Sequence, residues 1–298
     1  MHNLKSNFDK IFPIVKQQLK QLKYKKNKVG RPAKFSDTKL IALSLTAASL
    51  GIDSENYLFS KLNCDYKKSF PDLITRSKYN IRVRQLSLVI EQIRKQLIES
   101  FNSFENIFSI DSMPMEICKI ARAGRVKICK DQFNALPAKG YCASQKQFFY
   151  GYKLQAVVGL NGAIKMYDLS PGNIHDSVYL TDVRQKLTNC SLIGDKAYDS
   201  VPIQLALFEE NNISLFAPKR KYSSKDIKFP HRLKLLRKRV ETTFSQLCDQ
   251  FNIRRNYAKS FSGFASRVII KITAFSLLQY INRFINKKAQ NQIKHALA

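Results

Sequence analysis

Acidic residues are scarce in this chain: 22 Asp and Glu stand against 51 Lys and Arg over 298 residues, a formal charge of +29. That imbalance is far beyond what solubility requires and implies a polyanionic partner, nucleic acid first. Long apolar runs are lacking too. Lys or Arg breaks the apolar stretches well before the roughly 18 residues a membrane span requires, so neither a transmembrane helix nor a membrane partner is expected. The opening residues, MHNLKSNFDK, have no apolar core and no small-residue cleavage site of a secretory signal, which predicts a reducing cytoplasmic location. The six cysteines (Cys64, Cys118, Cys129, Cys142, Cys190, Cys248) include no C-x-x-C pair, which argues against a zinc ribbon and a disulfide framework. Cys118, Cys129 and Cys142 lie close in sequence but have no fitting histidine beside them, which disfavours a zinc site. There is no glycine-rich phosphate-binding motif, internal repeat or low-complexity segment.

What is present is a 44% apolar composition, enough for a sizeable core in one large domain or two ordinary ones. The first hundred residues read as helical. Ser36 is a good N-cap, Asp37 suits the positive helix end, and Leu40, Ile41, Leu43, Leu45 and Leu50 supply a buried stripe. Leu86, Val89, Ile90, Ile93 and Leu97 form another, with Glu91, Arg94, Lys95 and Gln96 on the wet face.

From about residue 105 to 220 the pattern becomes mixed α/β. Short apolar runs at Ile107 to Ile110, Phe148 to Leu160, Ala163 to Leu169, Leu192 to Gly194 and Ile213 to Ala217 read as strands. Asn161-Gly162 between the second and third signals a hairpin. Helices are expected from Asp176 to about Lys186 and from Ser200 to Glu210, with Pro202 in the first turn of the latter. Two further helices follow: one with the stripe Leu233, Leu236, Val240, Phe244, Leu247 and Phe251, and one from Ser262 to Ile285, apolar on most sides and read as buried core. Residues 112–146 form a basic insertion between the first two strands, with seven Lys or Arg against Glu116 and Asp131. A basic loop beside a catalytic strand is well placed to track a phosphate backbone.

Three carboxylates stand out. Asp111 directly ends the first apolar run, Asp195 directly ends the run Leu192 to Gly194, and Glu241 lies on the helix after the last strand. If the two strands are neighbours, both aspartates emerge at one sheet edge, where open α/β sheets commonly bind ligands. A carboxylate trio is the right donor set for two hard divalent ions acting on a phosphodiester, whereas His and Cys would suit zinc. Blander readings stand beside this one. Asp111-Ser112 could be a strand-end turn, Asp195 could cap a local turn, and Glu241 could pair with Arg237 one helical turn earlier.

On these residues the chain resembles the DDE transposases of bacterial insertion sequences, in the ribonuclease-H-like superfamily that includes retroviral integrases. The segments are IFSIDSMP, KQFFYGYKLQAVV, LSPGNIHDS, LIGDKAYDS and LRKRVETTFSQL, spanning about residues 105 to 250. GRPAKFSD and FPDLITRSKYNIR also resemble the N-terminal half of the subgroup numbered nine-eight-two. The resemblance implies a ribonuclease-H-like mixed sheet flanked by helices at 105–298, behind a helical N-terminal DNA-binding domain at 1–104. It implies that Asp111, Asp195 and Glu241 are both the catalytic and the metal-binding residues, holding two Mg²⁺ ions with Mn²⁺ as a substitute. A related type with a Tyr, Arg, Glu, Lys signature would place Tyr at 234 and Lys at 248; here Arg237 and Glu241 fit, and Lys234 and Cys248 do not.

The implied activity is metal-dependent cleavage of double-stranded DNA at element ends and strand transfer into target DNA, by a homodimer or larger assembly in a bacterial, nucleoid-associated setting. The alternatives are a ribonuclease-H-like nuclease without strand transfer and a catalytically dead DNA-binding derivative. For DNA contacts, Lys219 to Arg239 holds ten Lys or Arg and one acid, and Arg237, Lys238 and Arg239 surround the proposed ligand. Lys153 and Lys196 are further candidates, with solvent-facing roles as the bland alternative. Arg31 and Lys34, in the basic stretch Lys16 to Lys39, resemble a minor-groove arm at Gly30-Arg31-Pro32. Arg82 and Arg84 belong to a candidate helix-turn-helix over residues 36–90. Asp176 is read as a cap for the helix beginning at Ser177 in preference to a role near the site. His175 is not needed as a ligand.

Overall fold

The computed structural model describes residues 3–25, 33–101, 105–219 and 229–297. Arg31 with its Gly30 and Pro32 neighbours lies outside the described residues, as does 220–228 of the basic run. Along the chain come helices α1 (Leu4–Gln21), α2 (Asp37–Ser49), α3 (Glu55–Asp65), α4 (Arg76–Gln85) and α5 (Ser87–Glu99). Strands β1 (Ile107–Cys118), β2 (Ala138–Cys142), β3 (Gln147–Gly159) and β4 (Ile164–Pro171) follow. Then α6 (Tyr179–Lys186), β5 (Cys190–Ile193), α7 (Val201–Asn211) and β6 (Ile213–Phe216) alternate, before α8 (His231–Phe251) and α9 (Phe261–Tyr280). The chain divides into two compact units, one made of Met1–Phe101 with Leu247–Ala298, the other of Asn102–Gln246.

The first unit is helical because its sequence starts and fills helices efficiently. Asn3, Ser36, Ser54, Thr75 and Ser260 each use a side-chain oxygen to accept a first-turn N–H, which satisfies donors that a helix start otherwise leaves open. Its central element is α9, packed against α2 and α5. With its short π-helical continuation (Ile281–Ile285) this helix is long and apolar enough to span a membrane, contrary to the expectation from interrupted runs, but 67% of the relevant window is buried inside the protein. Lys271 sits in the middle of α9, 5% exposed, and donates to the carbonyls of Asn252 (2.7 Å) and Arg255 (3.4 Å). Burial lowers its pKa to about 8. The sequence grouped 247–298 with the catalytic half; the structure groups it with the N-terminal helices, whose apolar stripes it covers.

The second unit is a mixed α/β layer. Its six-stranded sheet runs β2-β3-β1-β5-β6, with β4 also paired to β3. β1, β2, β3 and β4 pair antiparallel, while β1, β5 and β6 run parallel. The hairpin expected at Asn161-Gly162 joins β3 to β4, with Gly162 at φ +82° and donating to the Gly159 carbonyl. That left-handed position is the reason a glycine is needed there. Phe108, Ile110, Val157, Leu180, Val183, Leu192, Tyr198, Leu207 and Ile213 share one core between the sheet and α6 and α7.

Two local expectations are corrected. β1 does not end at Asp111 but continues to Cys118, because Ser112 through Glu116 keep pairing with Gln155 through Gly151. The basic insertion is correspondingly shorter as a loop, and it contains β2, the edge strand paired to β3.

Candidate functional site

Parallel pairing of β1 and β5 sets Ser109 opposite Ile193. Two residues further along each chain come Asp111 and Asp195, so the two carboxylates leave neighbouring strands on the same side. Asp111 is held in the sheet opposite Ala156. Asp195 follows the end of β5, where the backbone turns into a 3-10 segment (Lys196–Tyr198) and its Oδ1 accepts the Ala197 N–H at 2.8 Å. The turn is tight because a Cβ on Gly194 would stand 2.8 Å from the Tyr198 ring, which leaves room for glycine alone. Tyr198 is fully buried, and its O–H reaches Gln155 Oε1 at 3.4 Å.

Burial pushes the Asp111 carboxyl up to about 7; the negative charges of Asp195 and Asp176 add to the rise, while the Ser112 N–H (2.8 Å) and the Arg237 guanidinium oppose it. Arg237 comes from α8. Its Nη2 lies 2.9 Å from Glu241 Oε1 and its Nη1 lies 4.0 Å from Asp111 Oδ2. The same guanidinium therefore faces two of the three carboxylates, and Glu241 meets Asp111 through it. The Ser109 hydroxyl, fully buried on β1, donates to the Leu236 carbonyl at 3.0 Å and fixes the turn of α8 that carries Arg237.

Behind Asp111 lies a second polar group. Asp176 Oδ1 accepts from Lys153 Nζ at 3.0 Å and from Gln155 Nε2 at 3.1 Å. Lys153 Nζ also donates to the Ile174 carbonyl. The expected capping role of Asp176 is overturned: His175 caps the segment, its Nδ1 accepting the Ser177 N–H, and Asp176 turns toward Lys153 and Gln155 instead. The cause is charge, since a buried ammonium on β3 needs a carboxylate more than a helix start with another acceptor does.

The structure thus brings Asp111, Asp195, Arg237 and Glu241 into one neighbourhood; Asp195 and Glu241 are also in the local contacts their blander readings foresaw, whereas Asp111 lies within β1 and not at a strand-end turn. Among the described residues, no group of three or more His, Cys, Asp and Glu side chains is arranged to hold a metal ion. Of the proposed DNA contacts, Lys34, Lys196 and Lys238 are exposed and Arg239 is half-buried. Two others are turned to internal work. Lys153 is 13% exposed in its ion pair, and Arg82 ties Asp37 and the Phe35 carbonyl within the helical unit. Arg84 has a buried Nε without a partner. Sequence reasoning missed Ser109, Gln155 and Tyr198; the only signal they gave was being polar inside otherwise apolar strands or beside a glycine.

A family model described as "Transposase DDE domain" matches residues 102–277, more than half of the chain. No curated protein and no solved structure matches it.

Proposed function

Because the chain belongs to the transposase DDE domain family, we propose that it is a DNA transposase of an insertion sequence, cutting phosphodiesters at element ends and joining them to target DNA. The observation that carries this reading is the placement of Asp111 and Asp195 two residues beyond the paired Ser109 and Ile193 of neighbouring parallel strands, with the Asp111 charge penalised by burial and by Asp195. Two nearby acids with one of them buried are costly for a metal-free protein and are relieved by a cation.

The donor set fits a divalent pair, since Asp111, Asp195 and Glu241 offer hard oxygens and no thiol or imidazole. When bound, such ions activate the attacking oxygen and neutralise charge at the phosphorus and leaving group. We take Mg²⁺ as the natural ion, with Mn²⁺ able to replace it. Asp111 is the fixed point, set by the sheet. Glu241, now paired with Arg237, would complete the donor set if that ion pair opened, and the guanidinium would then be at hand for a phosphate oxygen. Lys196, Lys238 and Arg239 lie on the same segments as the acids and hold flanking phosphates. Lys153 acts from behind, by fixing Asp176 and through it Gln155.

The helical unit takes the role of recognising the element's terminal sequence, with Lys34 and Arg31 as backbone or minor-groove contacts. Two ends brought together require at least two copies of the chain. The N-terminal segments GRPAKFSD and FPDLITRSKYNIR support placement in the subgroup numbered nine-eight-two.

The test is purified protein with Mg²⁺ and DNA carrying the element's own ends, comparing wild type with Asp195→Ala and using precut ends to isolate joining. Loss of both cutting and joining with DNA binding retained is expected of the variant. Cutting by Asp195→Ala at the wild-type rate would remove the residue from the site; cutting by the wild type without joined products would make the protein a nuclease.

A further inference from the structure

The segment between β1 and β3 combines two features that nothing in the proposed chemistry uses. All seven of its cations, Lys119, Arg122, Arg125, Lys127, Lys130, Lys139 and Lys146, are exposed. Large aromatic rings are exposed beside them: Phe133 is 88% open, Phe148 57% and Tyr141 50%.

Two of these rings form a platform. Tyr141 on β2 pairs with Phe148 on β3, their centroids 5.0 Å apart and tilted 57°. Lys139, two residues before Tyr141 and so on the same face of β2, places its Nζ 4.3 Å from the Phe148 ring centre. The segment is anchored, since the fully buried Tyr152 donates its O–H to the Ala135 carbonyl at 2.6 Å.

β2 is an edge strand of the sheet. Charges on an edge normally serve to repel unwanted strand pairing. That purpose explains Lys139 but not the two solvent-open rings beside it, which by themselves would invite association. Rings flanked by cations suit another role, in which bases stack on the aromatic faces while the cations follow the phosphates. Duplex DNA hides its base faces, so it could use the cations and not the rings.

We propose that the β2–β3 hairpin is a stacking platform for unpaired bases of single-stranded DNA, with Phe148 and Tyr141 as the stacking rings and Lys139 and Lys146 on the adjoining phosphates. This rests on the reading that the chain acts on DNA and gives that reading a substrate feature, a strand end that is unpaired next to a duplex.

Binding of the full-length protein to two fluorescent probes tests it, one a blunt duplex of the element end and the other the same duplex with an unpaired thymine tail. The tailed probe is expected to bind more tightly, and Phe148→Ala to lose about tenfold of its affinity for the tailed probe alone. Tyr141→Ala should behave alike. Because the chain contains no Trp, Phe148→Trp keeps a ring and adds the only indole, whose selectively excited emission should be quenched by an unlabelled tailed duplex and not by a blunt one. Equal wild-type affinity for both probes, equal losses by Phe148→Ala on both, or an unquenched signal from the introduced indole would each overturn the platform and leave the transposase reading standing. Failure of the wild type to bind either probe would overturn both.

Discussion

Replacing Asp111 by Asn should stabilise the metal-free protein at neutral and alkaline pH while abolishing DNA cutting. In the fold the Asp111 carboxyl is pushed from an ordinary value of 3.8 to about 7, mainly by burial. Because the folded value is the higher one, the neutral acid's full contribution is present below about pH 4 and is lost as pH rises to about 7. A rise of about three units corresponds to at most about 4 kcal/mol. The side chain keeps 21% of its exposure, so solvent screening reduces this, and about 2 kcal/mol is the expected penalty. Asparagine has the shape of the neutral acid, and its oxygen can still accept the Ser112 N–H that Asp111 accepts at 2.8 Å. Thermal unfolding in the presence of a chelator, followed by circular dichroism, should show no difference near about pH 4 and an advantage of about 4 to 8 °C for Asp111→Asn above about pH 7. Adding Mg²⁺ should raise the wild-type midpoint and leave that of the variant unmoved. A variant no more stable than wild type at pH above 7, or an advantage that is the same at both ends of the pH range, would refute the idea of an uncompensated buried carboxylate.

Three further outcomes follow from packing and burial. Gly194→Ala should cost about 1 to 3 kcal/mol in chemical denaturation and lower cutting, because the added methyl meets the Tyr198 ring and displaces Asp195 with it. Tyr152→Phe should cost about 1 to 3 kcal/mol by leaving the Ala135 carbonyl without its donor, and limited proteolysis should then cut faster between Lys119 and Lys139. Lys271 has a folded pKa lowered to about 8 by burial, so the unfolded chain holds the proton to higher pH. The stability of wild type relative to Lys271→Met should therefore rise between about pH 8 and pH 10, measured by urea unfolding, and a flat difference would contradict the burial effect.

The proposed acids were legible because each follows a short apolar run or lies on a strongly striped helix, patterns that local sequence carries. The continuation of β1 past Asp111 was not. Ser112-Met113-Pro114 looks like a strand ending, since proline removes a ladder donor; the antiparallel partner β3 nevertheless keeps pairing through it. β2 was hidden because Ala-Lys-Gly-Tyr-Cys has little alternation of its own and is defined by β3. Asp176 misleads for a related reason. An aspartate before a helix looks the same whether it caps the helix or answers a lysine 23 positions away, and only folding brings Lys153 to it. The grouping of α9 was equally silent, because an all-apolar helix shows that it will be covered and not by what.

That grouping has a consequence for synthesis. The first hundred residues leave the ribosome with their apolar stripes made and the helix that fills them still untranslated, behind an entire sheet domain. Until α9 emerges, the faces of α2 and α5 that it covers have only their amino-terminal neighbours to pack on, so a shortened message leaves this half with an incomplete core.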